Sequence, residues 1–164
     1  MPRRVYLALS LLLLLFALPV RATADELERQ RERLAHATDA GERAKITVKI
    51  GEELLERVTK AYKEANSQKA VEWLAAYHDA IQTAGKGLLD SRREEPHQLR
   101  GFKDLEIHLR KGMRHLRDIE HLVPLDEQEA VETLRGEMDS LRQQLLRALM
   151  EGKHEQTTEA KENP

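Results

Sequence analysis

The sequence contains no cysteine, and only 4% of its 164 residues are aromatic. The absence of cysteine excludes disulfides, thiolate catalysis, thiolate-bound metal ions and lipid attachment through cysteine. Charged residues make up 34% of the chain, and such a composition is typical of helical bundles and coiled coils rather than β-sandwiches. No stretch of useful length alternates apolar and polar residues as a half-buried strand does. The composition therefore predicts an all-α fold, in a chain long enough for one ordinary domain.

The chain also lacks the short motifs that mark common active sites. Serine-nucleophile motifs, phosphate-cradling glycine loops and dinucleotide fingerprints are missing. Gly85-Lys86-Gly87 has neither the preceding strand nor the longer glycine spacing of a phosphate loop. The formal net charge is −2, which gives no electrostatic reason to bind nucleic acid. We therefore expect a protein that is not an enzyme, needs no cofactor and binds no nucleic acid.

Residues 1–24 have the pattern of a secretory signal peptide. Two arginines are followed by the apolar run 7–20, and Ala22-Thr23-Ala24 precedes a cleavage point at Asp25. A helix over that run would span about 21 Å, which is short of the roughly 30 Å hydrocarbon core of a bilayer. An uncleaved membrane anchor is the alternative. The pattern predicts a bacterial protein exported by the general secretory route, periplasmic or secreted, with no stable membrane span after cleavage.

Residues 46–89 predict two antiparallel helices. Their apolar residues recur at steps of three and four, which places them on one face of each helix. On the first helix they are Ile46, Ile50, Leu54, Val58, Tyr62 and Ala65, and on the second Ala70, Val71, Leu74, Tyr77, Ile81, Ala84 and Leu88. Asn66 suits the left-handed end of the first helix, and Ser67 suits the cap of the second. So short a joint makes the two helices fold back on each other.

The run 61–74 resembles the turn of a tetratricopeptide-type repeat. In that family an aromatic residue closes the first helix, a small residue and a polar pair form the turn, and an alanine opens the second helix. The counterparts here are Tyr62, Ala65-Asn66 and Ala70. The family's two glycines and its second packing alanine are replaced by Val58, Ala65 and Tyr77. The resemblance covers a single repeat, residues 46–84, and implies helical scaffolding and partner binding.

The second half of the chain predicts two further helices. One runs over residues 98–122 and is stopped by Pro124. Asp126 and Glu129 fit a capping box for the last helix, which is expected to end at Gly152. Gly112 leaves space on the first of these helices, and we expect Trp73 to fill it.

The helices add up to an all-α fold with four main helices and a short leading helix over residues 26–36. They can pack as an up-and-down helical bundle or as a short two-hairpin helical stack. We expect residues 25–152 to form a single helical domain. Residues 153–164 are polar and are expected to form a disordered tail.

Histidine is the residue type most suggestive of a metal site. The candidates are His108, His115 and His121 on the fourth helix. Two histidines hold one metal ion on a helix when they are three or four residues apart, and no pair here has that spacing. Surface or interface histidines are therefore the preferred interpretation, and no metal ligand is assigned.

A basic stripe is the main candidate for partner binding. Lys103, Arg110, Arg114 and Arg117 follow one another at steps of seven, four and three, so they share a helix face. The stripe can be a solvated flank that pairs with acidic residues of the last helix, namely Glu132, Glu137 and Asp139. Alternatively, it docks an acidic partner or an anionic envelope surface.

Trp73 and Tyr77, four residues apart, are either core residues or the edge of a peptide-binding groove.

These features predict an exported, non-enzymatic helical protein that acts as a protein-interaction or scaffold module of the cell envelope. Its partner is another protein or a second copy of itself. The alternative is a periplasmic small-molecule or metal-binding protein that uses the histidines of the fourth helix and a cavity near Gly112.

Overall fold

The computed structural model describes residues 19–94 and 99–162, with side chains described for residues 26–92 and 99–151. This part of the chain consists of helices and their connections, which confirms the predicted all-α fold. None of the helices in it is long and apolar enough to cross a membrane. The elements are α1 (Pro19–His36), α2 (Ala40–Lys63), α3 (Ser67–Glu94), α4 (Phe102–Asp118), a 3₁₀ turn (Glu120–Leu122) and α5 (Gln128–Glu162).

The four long helices form two hairpins that lie side by side. Helix α2 pairs with α3 and α4 pairs with α5, while α2 also contacts α4, α3 also contacts α5, and α1 packs on α2. Side-chain contacts give the register of the helices. Between α2 and α4 they are Lys45 with Asp104 and Thr59 with His115. Between α3 and α5 they are His78 with Glu137 and Arg92 with Glu151. Contacting residues advance together along both members of each pair, so α2 runs parallel to α4 and α3 parallel to α5. The bundle is therefore the two-hairpin stack, because an up-and-down order would also pack the consecutive helices α3 and α4 along each other, and these two helices touch only slightly.

The predicted apolar stripes form the core. Nearly all members of the stripes predicted for the first hairpin are buried, namely Ile46, Ile50, Leu54, Val58, Tyr62, Ala70, Leu74, Tyr77, Ile81, Ala84 and Leu88. The second hairpin buries Phe102, Leu105, Leu109, Leu116, Val131, Leu134, Met138, Leu141, Leu145 and Ala148. Each fully buried large apolar side chain stabilises the fold by about 1.5–3 kcal/mol. Val71 is an exception at 47% exposure, because it lies about 100° around α3 from the buried Ala70.

The turn between α2 and α3 differs by one residue from the predicted turn. Ala65, not Asn66, has the left-handed conformation, with φ of 53°. The Asn66 N–H donates to the Ala61 carbonyl and the Ala65 N–H to the Tyr62 carbonyl, which is the Schellman pattern of helix ends. Asn66 rather than Ser67 then caps α3, because its Oδ1 accepts from the Lys69 N–H at 3.2 Å. The left-handed residue thus stands where the tetratricopeptide resemblance places a glycine.

A short joint keeps α1 and α2 separate. Asp39 Oδ1 accepts from the Glu42 N–H at 2.7 Å and caps α2. Arg43, on the first turn of α2, donates to the Leu34 and Ala37 carbonyls at the end of α1. The arginine satisfies carbonyls that a helix end leaves free, and it ties the leading helix to the bundle.

Two glycines let the start of α4 approach the start of α2. Gly101 precedes α4 with φ of 87°, a conformation that glycine adopts without steric cost. A Cβ on Gly41 would stand 2.7 Å from the Arg100 carbonyl oxygen, and a Cβ on Gly101 would stand 2.8 Å from the Gly41 Cα. The two backbones therefore touch where the second hairpin begins, and this contact fixes how the first turns of α2 and α4 pack together.

Several predicted boundaries differ from the structure. Helix α3 continues through Gly85 and Gly87 to Glu94, and α5 continues through Gly152 to Glu162 where a disordered tail is expected. One glycine costs a helix about 1 kcal/mol without breaking it, and residues 153–162 are mostly Glu, Lys, Gln, Thr and Ala, with no proline. The predicted signal peptide lies outside the described residues except for residues 19–24, which begin α1.

Replacing Ala65 by glycine should raise the free energy of unfolding by about 0.5–1 kcal/mol. Glycine removes the steric cost of a left-handed alanine, and the higher conformational entropy of the unfolded chain offsets only part of that gain. Ala75→Gly is the control, since Ala75 is an exposed residue within α3 and should lose about 1 kcal/mol. Urea unfolding followed by circular dichroism measures both. A comparable loss in the two variants would contradict the left-handed turn.

Alanine substitutions at Gly85 and Gly87 should have different effects, although the two glycines are two residues apart on α3. A Cβ on Gly85 would stand 2.6 Å from Leu141 Cδ1, whereas nothing lies within 4 Å of a Cβ on Gly87. Both substitutions gain up to about 1 kcal/mol of helix propensity, but at Gly85 overpacking against Leu141 costs about 1–3 kcal/mol and cancels or outweighs that gain. Thermal and urea unfolding of both variants test the α3–α5 contact, which predicts a gain only at position 87.

Candidate functional site

The basic face of α4 consists of Lys103, Arg110, Arg114 and Arg117. All four side chains are exposed and lie on one side of the helix, as the spacing predicts. Within the described part of the chain, none of them has an ion-pair partner. The acidic residues of α5 that the alternative interpretation pairs with them bind elsewhere: Glu132 contacts Arg135, Glu137 contacts His78, and Asp139 contacts Arg142. The basic face is therefore not neutralised by its own last helix.

Two of the three acidic residues of α4 are engaged on other helices. Asp104 pairs with Lys45 of α2 at 3.8 Å. Glu106 is buried and accepts from Arg142 Nε of α5 at 2.8 Å. A buried carboxylate of this kind needs its cation, since an unpaired buried charge costs several kcal/mol. The third acidic residue of α4, Asp118, is exposed four residues after Arg114, so the outer side of α4 carries four cations against one carboxylate and keeps a net positive charge.

A second surface, which we call the acidic groove, lies between α3 and the start of α5. It has a volume of about 570 Å³. Its apolar floor is formed by Val71, Leu74, Ala75, Ala130 and Leu134, and its rim carries Asp126, Glu127, Glu129, Glu137 and His78. Tyr62 Oη donates to Glu127 at 2.9 Å, and His78 Nε2 lies 2.7 Å from Glu137. Asp126 and Glu129 have no ion-pair or hydrogen-bond partner within the described residues.

Sequence reasoning did not find the acidic groove. Its carboxylates come from the connection before α5 and from the first turns of that helix, and they become neighbours of Val71 only when α5 packs along α3. The one available signal was the apolar stripe of α3, which includes Val71 although Ala70 and Leu74 already define the buried side. Leu125, next to the rim, is 85% exposed and is a second exposed apolar side chain at this end of the bundle.

Of the two alternatives for Trp73 and Tyr77, the core interpretation is correct for Tyr77, which is completely buried and so cannot form the edge of a peptide-binding groove. Trp73 is half-buried, and its ring lies beneath the Arg57 guanidinium and the Lys69 ammonium, at 5.1 and 5.3 Å from the ring centroid. These cation–π contacts hold the indole against the surface of the first hairpin. The two aromatic residues therefore do not line a shared surface.

The space at Gly112 is filled by Tyr77 rather than by Trp73, together with Met138.

His108 and Tyr77 form a ring pair inside the bundle, with centroids 5.7 Å apart. His108 Nε2 lies 2.5 Å from where a Cβ on Gly51 would stand, and Tyr77 Oη occupies the equivalent place beside Gly112. Both polar atoms are buried and lack a hydrogen-bond partner among the described residues. Burial lowers the pKa of His108 to about 4, with a smaller effect from Lys111, and burial raises the pKa of Tyr77. The histidine is therefore neutral and acts as a core residue.

The three candidate metal ligands do not come together. His108 points into the core, His115 Nε2 lies 2.7 Å from Thr59 Oγ1 of α2, and His121 is exposed in the 3₁₀ turn. Across the described residues, no group of three or more His, Asp or Glu side chains is arranged to hold a metal ion. The cavity expected near Gly112 is occupied by side chains, so the arrangement does not favour the carrier hypothesis.

Acid should destabilise the protein through His108. Its pKa of about 4 in the fold, against an ordinary value of 6.5, means that only the unfolded chain takes up this proton between those pH values. Stability is thus present above pH 6.5 and is lost as the pH falls toward 4, by about 2–3 kcal/mol. Urea unfolding at several pH values in this range measures the free energy of unfolding. That free energy should fall less steeply with decreasing pH in His108→Gln and His108→Leu than in wild type, while the variant of the exposed His121, His121→Gln, should follow wild type. An unchanged slope in both His108 variants would refute the assignment.

The chain matches no protein-family model, no curated protein and no solved structure. The resemblance of residues 46–84 to a tetratricopeptide-type hairpin therefore stays a prediction. The case for a function rests on two surfaces of the chain itself, the basic face of α4 and the acidic groove between α3 and α5.

Proposed function

We propose that this chain is an exported, non-enzymatic helical protein of the bacterial envelope that binds an acidic protein surface through the basic face of α4. Export is supported by the secretory pattern of residues 1–24. Partner binding is supported above all by four exposed cations that share one helix face and have no ion-pair partner within the described residues. The bundle serves as the rigid scaffold that presents them.

The basic face is unfavourable for the isolated helix. Arg110 and Arg114 are four residues apart and Arg114 and Arg117 three, and like charges at these spacings cost roughly 0.2–0.5 kcal/mol per pair. A partner that brings carboxylates relieves this repulsion and can bind each guanidinium through two parallel hydrogen bonds. The surrounding potential also accelerates encounter with an acidic surface, and salt weakens both effects.

Site-specific photo-crosslinking in the native cells tests the proposal. Ile107 lies at the edge of the basic face and is half-buried, so a crosslinking side chain there should form an adduct of discrete mass. The yield of this adduct should fall at least tenfold in the variant Arg110→Glu/Arg114→Glu. It should persist in Lys86→Glu/Arg147→Glu, which reverses two exposed cations on other helices.

Two results would contradict the proposal. One is a crosslinking pattern at position 107 that charge reversal on α4 leaves unchanged. The other is recovery of the protein in the cytoplasmic fraction with residues 1–24 intact. Mass spectrometry of the adduct identifies the partner, and a crosslinker at the exposed Gln143 of α5 reports background capture.

A further inference from the structure

We infer that the acidic surface recognised by the basic face is the acidic groove of a second copy of this chain. The basic face of one copy then docks between α3 and α5 of the next, in a head-to-tail contact. The inference rests on the proposed function, because it names the partner of the same basic face. It is carried by the complementary charges of two surfaces that the fold leaves open on one molecule.

The acidic groove has the properties of an uncovered interface. Its floor is apolar, and Val71 on that floor is 47% exposed while the neighbouring Leu125 is 85% exposed. Exposed apolar side chains grouped beside polar ones are typical of association sites. Asp126 and Glu129 on the rim lack a partner within the described residues. An occupant must therefore supply both apolar cover and positive charge.

Charge excludes the simplest symmetric pairing. Two copies that met groove to groove would bring two sets of four rim carboxylates together, and like charges across an interface cost several kcal/mol. The basic face cannot pair with a second basic face for the same reason. Opposite surfaces of the two copies are the combination that removes both repulsions.

The dimensions of the two surfaces agree. Arg110 and Arg117 are seven residues apart, or about 10.5 Å along the axis of α4. On the rim, Glu129 and Glu137 are eight residues apart, or about 12 Å along α5. A helix laid along the groove can therefore place one guanidinium near each end of the rim. The aliphatic parts of the arginine side chains would cover Val71 and the rest of the floor while their charged ends reach the carboxylates.

One copy cannot satisfy its own groove. The opposite side of α4 carries Leu109, Gly112 and Leu116, which are buried in the bundle, so the basic face points away from α3 and α5. The contact is consequently intermolecular and uses two different surfaces, which leaves a free groove at one end and a free basic face at the other. Such contacts grow into rings or chains rather than stopping at a dimer.

Two variants that each lose one surface test the inference. The face variant is Arg110→Glu/Arg114→Glu, and the groove variant is Asp126→Lys/Glu129→Lys. Protein purified after expression of the full chain is analysed by light scattering at low and high salt. Wild type should form species larger than a monomer that dissociate in salt, and each variant alone should be monomeric with an unchanged circular dichroism spectrum.

Mixing the variants gives the decisive result. The face variant keeps an intact groove and the groove variant keeps an intact basic face, so one junction can form between them. The mixture should give a 1:1 complex of twice the monomer mass and nothing larger. A chain that carries all four substitutions exchanges the charges of both surfaces, and it should regain self-association.

Matched controls reverse the same number of charges elsewhere. Lys86→Glu/Arg147→Glu and Glu32→Lys/Glu56→Lys change exposed residues outside both surfaces, and both should assemble like wild type. A wild-type protein that stays monomeric, or variants that form no 1:1 complex when mixed, would overturn the inference. If the crosslinked adduct on α4 then contains a different acidic protein, the proposed function stands without self-association; if no adduct forms, both fail.

Discussion

The packing of α2 along α4 is the contact on which the arrangement of the bundle depends. Glycines allow it at two levels: Gly41 and Gly101 let the backbones meet at one end, and Gly51 of α2 receives His108 of α4. Gly112 of α4 in turn receives Tyr77 of α3. Because interiors are close-packed and a ring tip fits only where a Cβ is missing, sliding one helix by a single residue would produce a clash. In the same arrangement α5 packs along α3.

The ring pair in the core shows that this register has a cost. A buried polar atom without a hydrogen bond is unfavourable by about 1–3 kcal/mol, and both His108 Nε2 and Tyr77 Oη are in that position among the described residues. The rings offset this cost by filling the space between three helices with large apolar surfaces. Neutral histidine is required for that packing, which makes the interior of the bundle sensitive to acid.

Once the register is set, the charges sort onto separate surfaces. Glu106 binds Arg142 and Asp104 binds Lys45, so two of the three carboxylates of α4 are drawn to other helices while its cations stay exposed. At the other side of the bundle, Glu129 and Asp126 stand beside the apolar floor that α3 leaves open. A chain with a formal net charge of only −2 thus carries two strongly charged surfaces of opposite sign. That separation is the physical basis of the proposed association.

Helical periodicity alone determined the fold class, the helices and most of their buried faces. An apolar stripe at steps of three and four lies on one side of a helix, and that side is removed from water by packing against other helices. It also determined that Lys103, Arg110, Arg114 and Arg117 share a face. Local chemistry was less decisive: Ala65 takes the left-handed position that Asn66 suits better, since the Schellman hydrogen bonds select a position rather than a residue type. Only the tertiary structure decided that Tyr77 packs beside Gly112, that the basic face has no partner on α5, and that a groove opens beside Val71. These outcomes depend on which helices become neighbours, and residue spacing within one helix carries no information about that.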